Sequence, residues 1–209
     1  METKKFIENL DKIIPQPKCE LNYNSPYELL VAVILSAQCT DKRVNMVAGE
    51  LFKEYNTPDK MLMLTQEELE DKIHSCGFYH NKAKSILSMS KALVERFDGD
   101  VPRDLESLKT LAGVGRKTAN VVYAEAFKGD AIAVDTHVLR VSNRLGFVKT
   151  DKPLECEKTL MKIFDKSTWG KLHLQLVLFG RYICKSQNPK CIECPFIEQC
   201  VYENKTYRI

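Results

Sequence analysis

Apolar positions in this chain recur at helical spacing and almost nowhere alternate. Between Asn81 and Phe97 they fall at Ala83, Ile86, Leu87, Leu93, Val94 and Phe97, with basic residues between them. That pattern predicts an amphipathic helix, and Asp98-Gly99-Asp100-Val101-Pro102 breaks it. The run Leu29–Leu35 is apolar throughout, which fits a buried strand or a buried helix equally. The preceding Ser25-Pro26-Tyr27-Glu28 decides for helix, because it reads as a capping box with proline at the first helical position. Thr65-Gln66-Glu67-Glu68 is a second capping box, and Cys76-Gly77 marks the end of its helix. Further helices are predicted over 116–127, 135–145, 153–164 and 171–184. The last is apolar all round and therefore predicted to be a core helix. With no alternating run of useful length, no internal repeat and no low-complexity segment, the predicted fold class is all-α.

One local pattern stands apart. Leu111-Ala112-Gly113-Val114-Gly115-Arg116-Lys117 reads as a glycine-tight hairpin that opens a helix, with Asp135 eighteen residues beyond Lys117. Its two glycines allow positive φ and close backbone approach. The N–H groups of Gly113, Val114 and Gly115, with those of the first helical turn at Arg116, suit an anion such as phosphate. A P-loop requires four residues between its glycines followed by Gly-Lys-Ser/Thr, so this spacing excludes one. A grip on one phosphate of a DNA backbone fits better. Lys117 sits where the positive end of the helix dipole repels it. The same repulsion favours the neutral amine that a nucleophilic lysine needs.

Composition sets outer limits. A chain of 209 residues with 44% hydrophobic and 28% charged residues can bury a sizeable core in one large or two small domains. A net charge of +3 does not by itself announce a nucleic-acid binder. The start Met1-Glu2-Thr3-Lys4-Lys5 carries no apolar signal region, and the Leu29–Leu35 run is too short to span a bilayer. The expectation is therefore a cytoplasmic, nucleoid-associated protein with no membrane partner. Eight cysteines without a secretory signal point to a reducing compartment and to ligands rather than disulfides. Cys19, Cys39, Cys76 and Cys156 are scattered and read as small buried hydrophobes. Cys184, Cys191, Cys194 and Cys200 are spaced C-x6-C-x2-C-x5-C. Four thiolates so close can enclose a tetrahedral zinc or a [4Fe–4S] cluster, and spacing alone does not choose.

These motifs, together with Leu35-Ser36-Ala37-Gln38-Cys39-Thr40-Asp41 and Ala133-Val134-Asp135-Thr136-His137-Val138, resemble the helix-hairpin-helix DNA glycosylases of the endonuclease III type. The resemblance runs from about Tyr23 to Cys200. It implies a six-helix barrel domain over 21–130 that carries the hairpin. Residues 1–20 and 131–209 would form a second, iron–sulfur domain, with a DNA-binding cleft between the two. It implies one [4Fe–4S] cluster on the four clustered cysteines. It also implies a monovalent cation at the hairpin, held by the carbonyls of Leu111 and Val114. The partner it implies is duplex DNA with a damaged pyrimidine or an abasic site, bound by a monomer.

The chemistry implied by the resemblance is a bifunctional glycosylase and abasic-site lyase. Lys117 would attack C1′ as the base departs, and Asp135 would stabilise the oxocarbenium-like charge. An imine between Lys117 and the opened sugar would then permit β-elimination. The damaged nucleotide must first leave the stack. In the resemblance Gln38 fills the gap, and Phe78 stands where the family has a leucine wedge; its alternative reading is a core anchor at a turn. Ala112 stands where the family has proline. Asp41 matches a lesion-pocket acid, or serves as a cap or salt-bridge partner. Lys185 and Lys190 reach for phosphate, or lie on a solvated loop face. Arg140 is a phosphate contact or an internal partner. Two other readings remain open: a monofunctional or mismatch-directed glycosylase of the same fold, and a non-catalytic iron–sulfur DNA-binding module.

Overall fold

The computed structural model describes residues 2–207. Among these, helices are the only regular elements: α1 (Thr3–Ile13), α2 (Pro26–Leu35), α3 (Asp41–Leu51), α4 (Pro58–Met61), α5 (Gln66–Ile73), α6 (Tyr79–Phe97), α7 (Leu105–Lys109), α8 (Arg116–Phe127), α9 (Thr136–Arg144), α10 (Pro153–Ile163) and α11 (Trp169–Tyr182). Short 3₁₀ turns occupy His74–Cys76 and Lys166–Thr168. No helix of the described residues is long and apolar enough to cross a membrane. The chain forms two compact units, one of Cys19–Gly129 and one of Met1–Lys18 with Asp130–Ile209.

In the unit of Cys19–Gly129, α2 is the core. Every residue from Tyr27 to Leu35 is buried, against Ile86, Met89 and Leu93 of α6 and Ala119 and Val122 of α8. Its entry differs from the predicted capping box in one bond. Ser25 Oγ accepts from the Glu28 N–H at 3.1 Å, as expected. The Glu28 carboxylate, however, accepts from the backbone N–H and the side-chain amide of Asn24, at 2.6 and 3.1 Å. Glu28 is itself buried. A buried carboxylate needs more than one donor, and Asn24 supplies two. The second box is complete: Thr65 Oγ1 accepts from the Glu68 N–H at 3.2 Å, and Glu68 accepts from the Thr65 N–H at 2.8 Å. Helix α6 begins two residues before the predicted Asn81, because Phe78 turns into the left-handed region at φ 48° immediately ahead of it.

The other unit is held by aromatic packing. Phe6 of α1 lies 4.7 Å from both Phe147 and Phe196, ring centre to ring centre, and Phe196 lies 5.6 Å from Phe179 of α11. A fully buried phenylalanine contributes roughly 1.5–3 kcal/mol by removal from water. That burial is why the N-terminal helix belongs with the C-terminal segment. Gln175 reinforces it, donating from Nε2 to Asp11 Oδ1 at 2.7 Å and to the Ile14 carbonyl at 3.0 Å. Helix α11 starts and ends two residues earlier than predicted. Asp165 caps the preceding 3₁₀ turn by accepting from the Ser167 N–H at 2.9 Å, and the chain leaves the helix before Cys184.

Candidate active site and cysteine-lined cavity

The hairpin joins α7 to α8 and is anchored by buried Leu111 and Val114, with the Val114 N–H donating to the Leu111 carbonyl at 3.1 Å. Its two glycines do different jobs, contrary to the expectation that both supply positive φ. Only Gly113 turns left-handed, at φ 76°, and a Cβ there would sit 2.9 Å from Ser85 Cβ of α6. Gly115 has ordinary extended backbone at φ −81° and is the residue before α8; a Cβ on it would meet no protein atom within 4 Å. The first N–H groups of any helix lack intrahelical acceptors, and Gly115 offers no side chain to cap them. Arg116 and Lys117 are the first two residues of α8, and both are exposed.

Three predicted elements of this unit meet near the C-terminus of α2. The buried ammonium of Lys82 donates to the Leu35 carbonyl at 2.8 Å and to the Cys76 carbonyl at 2.7 Å. It thereby ties the turn that carries Gln38 to the turn that carries Phe78. Gly113 packs on Ile34 and Ser85 beside them. Gln38 is exposed in left-handed backbone at φ 52°, and Phe78 is 64% exposed at φ 48°. That exposure removes the reading of Phe78 as a core anchor. Asp41 is half-buried in the first turn of α3, where an acid suits the helix dipole.

In the other unit, the buried strand-like segment Ala131–Val134 delivers half-buried Asp135 to the N-terminus of α9. Asp135 Oδ1 accepts from the Val138 N–H at 2.8 Å. His137 and Arg140 follow on the same helix. Arg140 Nη2 donates to His137 Nδ1 at 3.2 Å, which places the imidazole proton on Nε2. Burial holds His137 below the ordinary histidine range. Arg140 also donates to the carbonyls of Gly180 at 2.8 Å and Cys184 at 3.1 Å, so it is an internal partner. Helices α9 and α11 approach closely at Gly180, where a Cβ would lie 2.8 Å from His137 Cβ.

Cys184, Cys191, Cys194 and Cys200 line one cavity together with Arg144 and Tyr202. The sulfurs are not drawn onto one point: among the described residues no three Cys, His, Asp or Glu side chains form a group sized for a single metal ion. Burial raises the Cys184 thiol, and raises Cys194 to about 11. Arg144 organises this loop, a role the sequence reading did not assign. Its Nη1 lies 3.7 Å from Cys184 Sγ and donates to the Lys185 carbonyl at 2.6 Å, while Nη2 donates to the Ser186 carbonyl at 3.1 Å. Its guanidinium stacks 3.8 Å from the Tyr202 ring, and its own carbonyl accepts from Cys200 Sγ and from the Val201 N–H, both at 3.0 Å. The signal available was the Arg140–Arg144 spacing, which puts both guanidinium groups on one face of α9. Lys185 and Lys190 are exposed, and Lys190 pairs with Glu193 at 3.4 Å.

The chain as a whole is similar to known proteins. Residues 31–166 match the model of the HhH-GPD superfamily base excision DNA repair proteins. Endonuclease III of Bacillus subtilis (strain 168) is 52% identical over 195 residues, covering 91% of this chain and 89% of that one. Endonuclease III of Escherichia coli (strain K12) is 42% identical over 191 residues, covering 91% and 90%. Among solved structures, a trapped endonuclease III–DNA covalent intermediate matches with a TM-score of 0.92 and 48% identity, covering 96% of both chains. A non-covalent endonuclease III–DNA complex matches with a TM-score of 0.91 and 49% identity, covering 95% of this chain and 94% of that one. A family-model match over residues 31–166 and relatives 42–52% identical along about nine-tenths of the chain place it in the endonuclease III family of the HhH-GPD superfamily.

Proposed function

We propose that this protein is a bifunctional DNA glycosylase and abasic-site lyase of base excision repair, acting on oxidised or ring-saturated pyrimidines in duplex DNA. The observation that carries this reading is Lys117, an exposed amine in the first turn of an uncapped helix behind the hairpin. A relative caught as a covalent DNA intermediate supports it. The hairpin N–H groups of Gly113 to Arg116 grip a backbone phosphate, and the bare Cα of Gly115 lets that phosphate come close. The carbonyls of Leu111 and Val114 are the hairpin's donors to a bridging monovalent cation. Gln38 and Phe78 enter the space left by the extruded nucleotide, and Asp41 faces the lesion.

Lys117 Nζ then forms a bond to C1′ while the bond to the base breaks. Asp135 offsets the positive charge that grows on the sugar. Loss of the C2′ proton from the resulting imine breaks the C3′–O bond and releases the 3′ phosphate. Asp135 is suited to this role because the Val138 N–H fixes the direction of its carboxylate.

The four cysteines fit a [4Fe–4S] cluster: they line one cavity, and the donor set is all thiol. Such a cluster supplies covalent ties across a loop that has no regular structure of its own. Exposed Lys185, beside Cys184, and Lys190, once it leaves Glu193, contact phosphate in this reading.

The test is to score base release and strand cleavage in parallel on a duplex with one thymine glycol. Coincident release and cleavage is the expected result. Release without cleavage makes the protein monofunctional. Binding without either makes it a non-catalytic module.

A further inference from the structure

Two cysteines outside the four-cysteine loop sit at the bases of the two turns proposed to enter DNA. Cys39 follows Gln38, and Cys76 precedes Gly77 and Phe78. Gln38, Gly77 and Phe78 all hold left-handed backbone, at φ 52°, 65° and 48°. Lys82 clamps the two turns together through the Leu35 and Cys76 carbonyls. Inside that clamp the Cys39 N–H donates to the Ser36 carbonyl at 3.1 Å, Cys39 packs against the core cluster that holds Cys76, the two thiols lie within electrostatic reach of each other, and neither is in a disulfide.

Their surroundings differ in a way that suits sequential chemistry. Cys39 is half-buried and open to a small reagent; Cys76 is buried at 1% exposure. The Lys82 ammonium is within electrostatic reach of both sulfurs, and the Arg43 guanidinium is within reach of Cys76. A partly exposed thiol is accessible to a soluble oxidant, whereas a buried one is reached only through its neighbour. Burial pushes the Cys76 thiol up to about 11.

We propose that Cys39 and Cys76 form a reversible oxidation site for small hydroperoxides, in which Cys39 reacts first and Cys76 resolves it to a disulfide that staples the Gln38 turn to the Phe78 turn. The Cys39 thiolate attacks the O–O bond of hydrogen peroxide, giving a Cys39 sulfenic acid and hydroxide; the proton lost from the thiol converts the hydroxide to water. The Cys76 thiol then attacks the sulfenic sulfur, the S–O bond breaks, and a second water leaves. Two thiols and one peroxide thus give one disulfide and two waters. A thiol reductant reverses it. The staple fixes the two turns relative to each other. Its effect on DNA rests on the function proposed above, in which Gln38 and Phe78 must settle around an extruded nucleotide.

The intact protein is treated with hydrogen peroxide at a dose that leaves the four C-terminal cysteines unmodified, and is mapped by alkylation and peptide mass spectrometry. The expected product is a Cys39–Cys76 bridged peptide, lighter by two hydrogens and lost on adding dithiothreitol. Fragmentation places the bond on Cys39 rather than Cys19. In Cys76→Ser a dimedone-reactive sulfenic acid accumulates on Cys39; in Cys39→Ser, a milder change at a half-exposed position, no bridge forms. Failure of both thiols to oxidise at that dose overturns the proposal, as does equal dimedone labelling of wild type and Cys76→Ser. The second readout is binding to a duplex with a tetrahydrofuran abasic analogue, expected to weaken about tenfold on bridging and to recover with dithiothreitol. A bridge without weaker binding overturns the stapling effect alone. A reduced protein that ignores the abasic analogue overturns the proposed function and leaves the bridge standing.

Discussion

Helices α8 and α9 follow one another in the chain and carry their charges in opposite order. Helix α9 obeys the helix dipole at both ends: Asp135 caps its N-terminus and Arg144 is its last residue. Helix α8 disobeys it at its N-terminus, with Arg116 and Lys117 in the first turn, and carries a buried Glu125 in the last turn beside its C-cap Lys128. Each misplaced charge costs about 0.3–1 kcal/mol at an exposed helix end. What holds α8 is its apolar face, with Ala119, Val122 and Ala124 buried. The N-terminus of α9 is capped by its own aspartate, whereas the N-cap of α8, Gly115, offers no side-chain cap and is followed by Arg116 and Lys117. A self-capped end has served the fold first; an uncapped cationic end is arranged for an anion from outside.

The largest expected effect that sharpens this contrast is at Asp135. Asp135→Asn keeps an oxygen for the Val138 N–H and loses only the charge. Stability should hold within about 0.5 kcal/mol in denaturant titration, while excision falls by about 10²–10³-fold in single-turnover assays. Equal losses in both would reduce Asp135 to a cap.

The two hairpin glycines come next. Gly113→Ala should destabilise the protein by about 1–3 kcal/mol, through its positive φ and its approach to Ser85. Gly115→Ala should change stability by less than about 0.5 kcal/mol yet weaken lesion-duplex binding about tenfold. Fluorescence-monitored unfolding and anisotropy titration separate the two. Matching behaviour of both variants would erase the distinction between a fold glycine and a contact glycine.

The smallest effect lies at the far end of α8. Burial raises Glu125 above the ordinary carboxylate range, so the folded protein binds this proton more tightly than the unfolded chain does. Its stabilising effect is complete below the unfolded value near 4.5 and is lost as pH rises through the higher folded value. Glu125→Gln should therefore raise Tm at about pH 7, with a gain that shrinks towards about pH 4. A gain independent of pH would assign the cost to packing instead.

Much of this was legible in the sequence wherever a local rule acts. The cap at Thr65, the proline start of α2, the span of α8 and the cap at Asp135 all follow from residues within one turn of each other. Helix α3 is legible too, from Val44, Ala48 and Leu51 at helical spacing. What escaped needed partners far away in the chain. Arg144 reaches carbonyls more than forty residues on, Glu28 turns to Asn24 because it is buried, and only the backbone angle φ separates Gly113 from Gly115. The exposure of Phe78 belongs to the same class, since an aromatic after Cys76-Gly77 fits a core turn equally well.

The central claim is that the exposed amine at the start of α8 is the nucleophile, and borohydride trapping tests it most directly. Borohydride reduces an imine to a stable amine, freezing any enzyme–sugar Schiff base as a covalent complex. On a duplex with one thymine glycol, wild type should give a trapped complex and Lys117→Ala none, with strand cleavage down by about 10³-fold or more. A complex that persists in Lys117→Ala, or wild type that releases base without trapping, would contradict the assignment.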